Sequence, residues 1–507
     1  MGLRRLSVNA TASSLTTISS AVLLVLLYRF LIQTIGIESI GVWSLVFATG
    51  SVVRLAEFGM AGATTRYVAL DLGAGERDRA TATIGMALAF TVVAVGLCAL
   101  VGYLPARALL ASLIDEPEHV AAITSLLPWV LASHWLASVA QMLIGVLDGN
   151  QRTALRALAV VTSGVGQLVL AWTLVPRLGL AGLGPVQLGF MAIQVSLLLL
   201  AVLVTAHRPG AAWLGGTRAR ARELLRYGSG VQVMATAQLL FEPTVRWLLS
   251  AFSGFETTGY YELANRAVLQ FRRALSAAFL MVVPYLANEI GRSGEDSARL
   301  VSTYRRSSAA LLLIATPFYL LVGCALPFLL SWWADGYSRE FVLLGYLCLV
   351  GWGVNTLAVP GFNLYLARGV LGPVMQTQLA IGVLNVILGL VGGYLLGGVG
   401  VALGAMGSLM LGSLVVIVRF HREYELGVAS LVPPAVVPLL ALGLPAFATF
   451  ALVADATLAR PSLPLAWLGL YAGLCVAFLA LVWRDPLTAE TRGRLSSRGP
   501  LGRARAA

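Results

Sequence analysis

Apolar residues run along this chain in long blocks, and short polar segments separate the blocks. A block of roughly 20 apolar residues is long enough to cross a bilayer as a helix. The blocks predict an all-α polytopic membrane protein. About fourteen transmembrane helices are predicted, at 11–33, 38–60, 81–103, 119–147, 155–175, 181–206, 227–250, 256–284, 308–331, 341–366, 373–394, 397–418, 431–453 and 465–483.

A mixed polar and apolar motif occurs twice in the chain. Residues Gly36–Leu45 (GIESIGVWSL) return as Gly254–Leu263 (GFETTGYYEL), and the constant difference in residue number between the two copies is the repeat offset. The same offset places Arg54 on Arg272. Many transporters arise by doubling one helical bundle, with the substrate site between the two halves. The repeat therefore predicts two pseudo-symmetric bundles, or lobes, around a central cavity.

The repeat and the loop composition predict five regions. They are an N-terminal lobe with spans 1–6 (1–206), a basic cytoplasmic linker (207–226), a C-terminal lobe with spans 7–12 (227–420), two extra C-terminal spans (421–483) and a disordered cytoplasmic tail (484–507). Each half has an even number of spans before the extra pair, so the two halves have the same orientation in the membrane.

All 35 basic residues are arginine, and this excludes some chemistry. A P-loop requires a lysine, and so does a Schiff-base enzyme. Most arginines lie at the N-terminus, in alternate loops and in the tail, whereas the opposite loops hold only Arg107, Arg177, Arg339 and Arg460. The positive-inside rule then predicts that both termini are cytoplasmic. It also explains the formal charge of +12 without a nucleic-acid partner.

Charged residues inside the predicted spans are the candidate functional residues. A charge at the centre of a bilayer costs about 2.5–3.5 kcal/mol, so it needs water or a partner. The candidate cavity residues are Arg29, Arg54, Arg246, Arg266, Arg272 and Arg273, and the candidate carboxylates are Glu57, Glu242 and Glu262. They fall on the first two spans of each half, and this clustering predicts a shared polar cavity.

Helical spacing places each acid beside an arginine of its own helix, as for Glu242 with Arg246, Arg54 with Glu57 and Glu262 with Arg266. Span 8 keeps an excess of arginine, and a guanidinium fork binds two phosphate oxygens at once. The cavity is therefore predicted to bind a diphosphate. Snorkelling to the membrane surface is the open alternative for several arginines. For the carboxylates, binding a coupling proton or sodium ion and serving as counter-ions both stay open. No catalytic residue, metal site or cofactor is predicted.

Several motifs resemble the polysaccharide-export and O-antigen flippase family of the multidrug/oligosaccharidyl-lipid/polysaccharide exporter superfamily. They are Arg29 with GIESIGVWSL, then EFGMAGATTRYVA from Glu57, GNQR from Gly149, and GYYELANR from Gly259. The resemblance covers about 10–420. It implies a two-lobed bundle that moves an undecaprenyl-diphosphate-linked oligosaccharide from the inner to the outer leaflet by alternating access. It also implies cationic cavity residues on the first helices of each lobe.

The resulting prediction is a flippase for surface polysaccharide synthesis in the bacterial cytoplasmic (inner) membrane, and not an enzyme. Its partners would be the lipid-linked oligosaccharide, membrane lipids, and the polymerase and glycosyltransferases of the same pathway. A multidrug or cation antiporter of the same superfamily is the nearest alternative, although an antiporter favours acidic cavity residues. A membrane polysaccharide polymerase or glycosyltransferase is a further alternative, which the short outward loops disfavour.

Overall fold

The chain folds almost entirely into helices in a computed structural model. The structure describes residues 3–112, 117–205, 213, 215–239, 241–280, 297–334, 336, 338–368, 370–427, 432–457 and 465–488. The α-helices are α1 (Leu3–Gly50), α2 (Met60–Gly73), α3 (Arg77–Ser112), α4 (Pro117–Gly149), α5 (Thr153–Leu178), α6 (Leu183–Val204), α7 (Arg218–Leu239), α8 (Glu242–Leu280), α9 (Ser297–Ala334), α10 (Arg339–Leu357), α11 (Val359–Ala367), α12 (Leu371–Glu423), α13 (Val436–Thr457) and α14 (Leu465–Arg484). Short 3-10 helices lie at Ser51–Glu57 (η1), Gly179–Gly182 (η2) and Pro486–Thr488 (η3).

Helix length and composition confirm a polytopic membrane protein. Among the described residues, the segments able to cross a membrane are Ser19–Glu57, Arg77–Ser112, Val120–Gly149, Thr153–Val204, Leu300–Trp333, Arg339–Leu357 and Gly372–Glu423, with shorter apolar helices at Val436–Leu452 and Leu468–Arg484. The segments of 39 and 52 residues are long enough for two crossings of roughly 20 residues each. Each of these long segments contains a glycine with a positive φ.

The helices bend at these glycines, and the positions of the bends follow the sequence repeat. Gly36 in α1 has φ 78° and ψ 168°, and Gly254 in α8 has φ 77° and ψ −171°. Gly179 and Gly397 are also separated by the repeat offset, with φ of 57° and 61°. Glycine reaches this region without the steric cost that a Cβ imposes. The repeat therefore extends well beyond the motif that revealed it.

Helix ends show the same offset without insertion. Helix α4 ends at Gly149, and α11 ends at Ala367, which is the position equivalent to Gly149 by the repeat offset. Helix α5 begins at Thr153, and α12 begins at the equivalent position, Leu371. At this connection the two halves of the chain thus have equivalent helix boundaries, as the repeat predicts.

The helices depart from the predicted spans at two places. The predicted span 38–60 is α-helical only to Gly50, continues as η1, and breaks at Phe58 and Gly59, whose φ values are 45° and 63°. The predicted span 227–250 divides into α7 and α8 next to Pro243, which has no amide hydrogen for a continuous helix. Helix α7 begins at Arg218, so the latter part of the predicted linker is helical.

By their internal contacts the residues form two compact units. One comprises Met1–Leu263 and Gln378–Ala405, and the other comprises Ala264–Thr377 and Met406–Ala507. The predicted lobes follow the repeat, whereas these units follow contacts, so the lobe boundaries stay a prediction. The predicted disordered tail lies outside the described residues from 489 onward.

Candidate functional site

Helices α1 and α8 approach each other closely at two glycines of the repeat. A Cβ at Gly41 would lie 1.8 Å from the carbonyl oxygen of Phe255, and a Cβ at Gly259 would lie 2.3 Å from that of Ile37. Both pairs are related by the repeat offset, so the crossing is locally two-fold. Glycine permits this approach of two backbones. The crossing holds α1 and α8 together next to the charged side chains of α8.

A buried ion pair lies next to this crossing. The Nε of Arg246, before the Gly254 bend, is 2.7 Å from Oε2 of Glu262, after the bend. The Oγ of Ser44 donates to the same carboxylate oxygen at 3.4 Å. Arg246 is 8% exposed and Glu262 is 1% exposed. Because both charges are buried and paired, this contact ties the two arms of α8 together.

The predicted pairing of Glu242 with Arg246 is the weaker one. The Oε2 of Glu242 is 3.7 Å from Nη1 of Arg246, and the Glu242 side chain is 47% exposed. The Nη1 of Arg246 also donates to the Glu242 carbonyl oxygen at 2.8 Å. Helical spacing predicts the local contact but not the one across the bend, which needs the left-handed conformation of Gly254.

Arg54 and Glu57 form the pair that their spacing predicts. The Nε of Arg54 is 2.7 Å from Oε1 of Glu57. Both lie on η1, where residues three apart eclipse each other. The Oγ of Ser138 in α4 donates to Glu57 Oε1, also at 2.7 Å. The side chains of Arg54 and Glu57 are 38% and 17% exposed, so the guanidinium is accessible but already neutralised.

Helix α7 stabilises the break in which this pair lies. The Nε2 of Gln232 donates to the Leu55 carbonyl oxygen at 2.8 Å, and its Oε1 accepts the Gly59 amide at 3.1 Å. These bonds satisfy backbone groups that the helix break exposes. The sequence analysis did not single out Gln232. The signal that could have identified Gln232 was a polar side chain within the predicted span 227–250.

Arg272 has a different environment from its repeat partner Arg54. The Nε of Arg272 donates to Oδ1 of Asn355 at 2.9 Å, and its Cζ lies 5.0 Å from the centre of the Trp352 ring. Asn355 in turn donates to the Oγ of Ser413 at 2.8 Å. Among the described residues, no carboxylate pairs with Arg272 and neither of its Nη atoms donates to an acceptor. This guanidinium therefore keeps its charge and its terminal donors.

The other three predicted arginines lie on α1 and α8. Arg29 is partly buried in the first arm of α1, Arg266 is partly buried in α8, and Arg273 is exposed beside Arg272. The structure brings together Arg246 with Glu242 and Glu262, and Arg54 with Glu57. Binding of a ligand by any of these residues stays a prediction.

The sequence analysis missed a further buried ion pair. Asp71, near the end of α2, pairs with Arg220 in the first turn of α7, and both are buried. The Nε of Arg220 donates to Thr83 Oγ1 at 3.0 Å, and its Cζ lies 4.5 Å from the centre of the Tyr67 ring. The sequence analysis placed Arg220 in a linker because arginine-rich loops predict topology. The pair instead attaches α7 to the junction of α2 and α3.

The MatE family model matches residues 12–173, which include Arg54 and Glu57. This match covers less than half of the chain. No curated protein sequence matches the chain significantly.

Solved structures show the fold. An inward-facing multidrug resistance MATE family transporter of the MOP superfamily has a TM-score of 0.65 and 16% identity, over 81% of this chain and 98% of that chain. The lipid II flippase MurJ, in an inward closed conformation, has a TM-score of 0.65 and 12% identity, over 94% of this chain and 99% of that chain. A MOP superfamily transporter from Pyrococcus furiosus has a TM-score of 0.57 and 16% identity, over 82% of this chain and 95% of that chain. The chain therefore shares the helical fold of these transporters.

Proposed function

We propose that this protein is a flippase that moves an undecaprenyl-diphosphate-linked oligosaccharide from the inner to the outer leaflet by alternating access. The observation that carries the proposal is Arg272. Its guanidinium has a neutral amide partner at 2.9 Å, and its Nη atoms have no protein acceptor among the described residues. A guanidinium in this state can bind two phosphate oxygens at once.

The surroundings of Arg272 hold it in place for such a ligand. Asn355 accepts from Nε, and Ser413 fixes Asn355 from α12. Trp352 lies against the guanidinium, and its Nε1 donates to Asn265 at 2.7 Å. A side chain fixed in this way loses less conformational freedom when it binds. The adjacent Arg273 adds a second positive charge on the same helix.

The proposal includes location and partners. The protein would lie in the bacterial cytoplasmic membrane with both termini in the cytoplasm, and would pass its product to the polymerase of a surface polysaccharide pathway. A proton or sodium gradient, or the membrane potential, would drive transport. The chemistry of bond formation would belong to the glycosyltransferases and the polymerase.

A second candidate is a multidrug or cation antiporter, and one specific observation favours it. Glu57 lies within the MatE match and is hydrogen-bonded by Ser138 next to the accessible Arg54. A carboxylate of this kind can bind a proton or sodium ion. In an antiporter Glu57 would carry the coupling ion, and Arg272 would be dispensable.

The decisive experiment is to measure where the lipid-linked oligosaccharide accumulates in cells that lack the protein. We expect accumulation on the cytoplasmic leaflet, restored to normal by the wild-type chain and not by Arg272→Gln. The variant Arg79→Gln, exposed at the start of α3, is the matched control and should restore export. Accumulation of unpolymerised units on the outer leaflet would contradict the flippase. No accumulation, together with drug sensitivity, would favour the antiporter.

A further inference from the structure

A large cavity lies in the second compact unit. It has a volume of about 790 Å³, within the roughly 300–1,000 Å³ of ordinary ligand pockets. Residues of α9, α10 and α12 line it, together with residues 425–427 and Val432. Most of the lining is aliphatic, as at Leu312, Leu357 and Ile417. An aliphatic cavity of this size suits hydrocarbon chains.

Exposed aliphatic residues border part of the cavity. Leu414, Val418 and Val432 line it and are 45%, 45% and 37% exposed. Leu414 and Val418 lie on α12, within a segment able to span a membrane. Exposed aliphatic residues on such a helix are expected to face acyl chains. A lipid could therefore enter the cavity directly from the bilayer.

One end of the cavity is polar and carries both signs of charge. Arg422, in the last turn of α12, and Glu425, just beyond its end, both line the cavity. Neither has an ion-pair partner in the part of the chain that the structure describes. Glu425 has a φ of 51°, a conformation that disfavours residues other than glycine. Such strained residues are concentrated at ligand sites.

A buried hydroxyl lies deeper in the cavity. Ser308 is 7% exposed and lines the cavity, and its Oγ interacts with the Tyr304 hydroxyl. The Tyr304 hydroxyl is itself 2.9 Å from Nε2 of His421. A serine hydroxyl has one donor and two acceptor lone pairs, so a ligand oxygen can use the capacity that Tyr304 leaves. Ser308 therefore indicates that a polar group of a ligand enters between α9 and α12.

We propose that this cavity is a binding site for a zwitterionic membrane phospholipid of the ethanolamine class. Arg422 binds the phosphate and Glu425 binds the ammonium group. Ser308 donates to a glycerol ester oxygen, and the aliphatic wall covers the acyl chains. The two charges have no ion-pair partner among the described residues, so they favour a headgroup that carries both signs over one that is only anionic. Binding of this lipid does not depend on the flippase activity.

The test is native mass spectrometry of the full-length protein in detergent. The protein is mixed with equal amounts of phosphatidylethanolamine and phosphatidylglycerol of the same acyl chains. We expect retained phosphatidylethanolamine in excess. The variants Arg422→Gln and Glu425→Gly should each lower this preference about two- to fivefold, as expected for partly exposed ion pairs. Glu425→Gly is useful because glycine adopts the positive φ at residue 425 without strain, so folding should be kept.

Two further variants complete the experiment. Ser308→Leu fills the cavity and should abolish retention of both lipids, with the melting temperature as a check on folding. Arg419→Gln is the matched control, because Arg419 is exposed on α12 and donates to Gln376 at 3.1 Å without lining the cavity. Equal retention of the two lipids, or equal behaviour of Arg422→Gln and Arg419→Gln, would overturn the proposal. Displacement of phosphatidylethanolamine by undecaprenyl phosphate at equal concentration would also overturn it.

Discussion

Arg54 and Arg272 occupy the same position in the two halves of the chain, yet their guanidinium groups contact different kinds of partner. Arg54 is 2.7 Å from the Glu57 carboxylate, whereas Arg272 donates to the neutral Asn355. The position equivalent to Glu57 in the second half is Leu275, and the position equivalent to Asn355 in the first half is Ala137. An arginine therefore lies at the same position in both halves, and among the described residues only the one in the first half has a carboxylate partner.

This difference separates two uses of arginine in a membrane. A guanidinium with a carboxylate partner is neutral as a pair and contributes to structure or to binding a cation. A guanidinium with an amide partner keeps its charge and can attract an anion. Arg246, buried against Glu262, is a second member of the first group. Substitutions of these arginines and of their partners test whether the partner group determines the function of each arginine.

Glu262→Gln should have the largest effect, because it leaves the buried Arg246 charge with only the exposed Glu242 carboxylate, 3.7 Å away, as a counter-ion. Breaking one side of a buried pair costs about 3–5 kcal/mol. We expect a clear drop in the melting temperature of the purified protein in detergent. Glu242→Gln is the matched control, since it removes a carboxylate that is 3.7 Å from the same arginine and 47% exposed. Its cost should be about 1 kcal/mol or less. Equal melting temperatures for the two variants would contradict this assignment.

Arg272→Gln and Arg54→Gln compare the two halves directly. Loss of a buried, charge-assisted contact to a ligand costs about 2 kcal/mol or more, or roughly 30-fold in affinity. We expect a loss of this size for Arg272→Gln in binding of a short-chain prenyl diphosphate, measured by calorimetry in detergent. Arg54→Gln should weaken binding by less than about fivefold, because Glu57 already neutralises Arg54. Equal losses in the two variants would remove the distinction between the halves.

The sequence predicted the helices, the repeat and the positions of the charges, because each depends on local composition or on a fixed offset. It could not predict which partners the charges take. The contact of Arg246 with Glu262 needs the bend at Gly254, and the contact of Arg272 with Asn355 joins residues 83 positions apart. Spacing along one helix identified the pairs of Arg54 with Glu57 and of Glu242 with Arg246, and the pair of Glu262 with Arg266 that it also predicts stays a prediction. Partners on other helices depend on tertiary packing.

Asn355→Asp tests the role of the partner without changing its shape. Aspartate in place of Asn355 would give Arg272 a carboxylate at the same distance and make it resemble Arg54. Because the pair is then neutral, we expect diphosphate binding to weaken by about tenfold, the equivalent of about 1.4 kcal/mol. The melting temperature should stay the same or rise. Asn355→Ala is the control for loss of the amide and should weaken binding less. Unchanged binding in Asn355→Asp would show that Arg272 does not contact the anion.

Glu57→Gln is the reverse change and should have the smallest effect. It leaves Arg54 with an amide partner, so the first half acquires the chemistry of the second. The Arg54 side chain is 38% exposed and its charge is screened, so the stability loss should be about 1 kcal/mol or less. We expect diphosphate binding to increase slightly, by less than about fivefold, in the same calorimetric measurement. If Glu57 instead carries a coupling ion, Glu57→Gln would abolish transport driven by that ion while leaving diphosphate binding unchanged. Transport that survives Glu57→Gln would identify Glu57 as a counter-ion of Arg54, whereas loss of ion-driven transport would identify it as a coupling carboxylate.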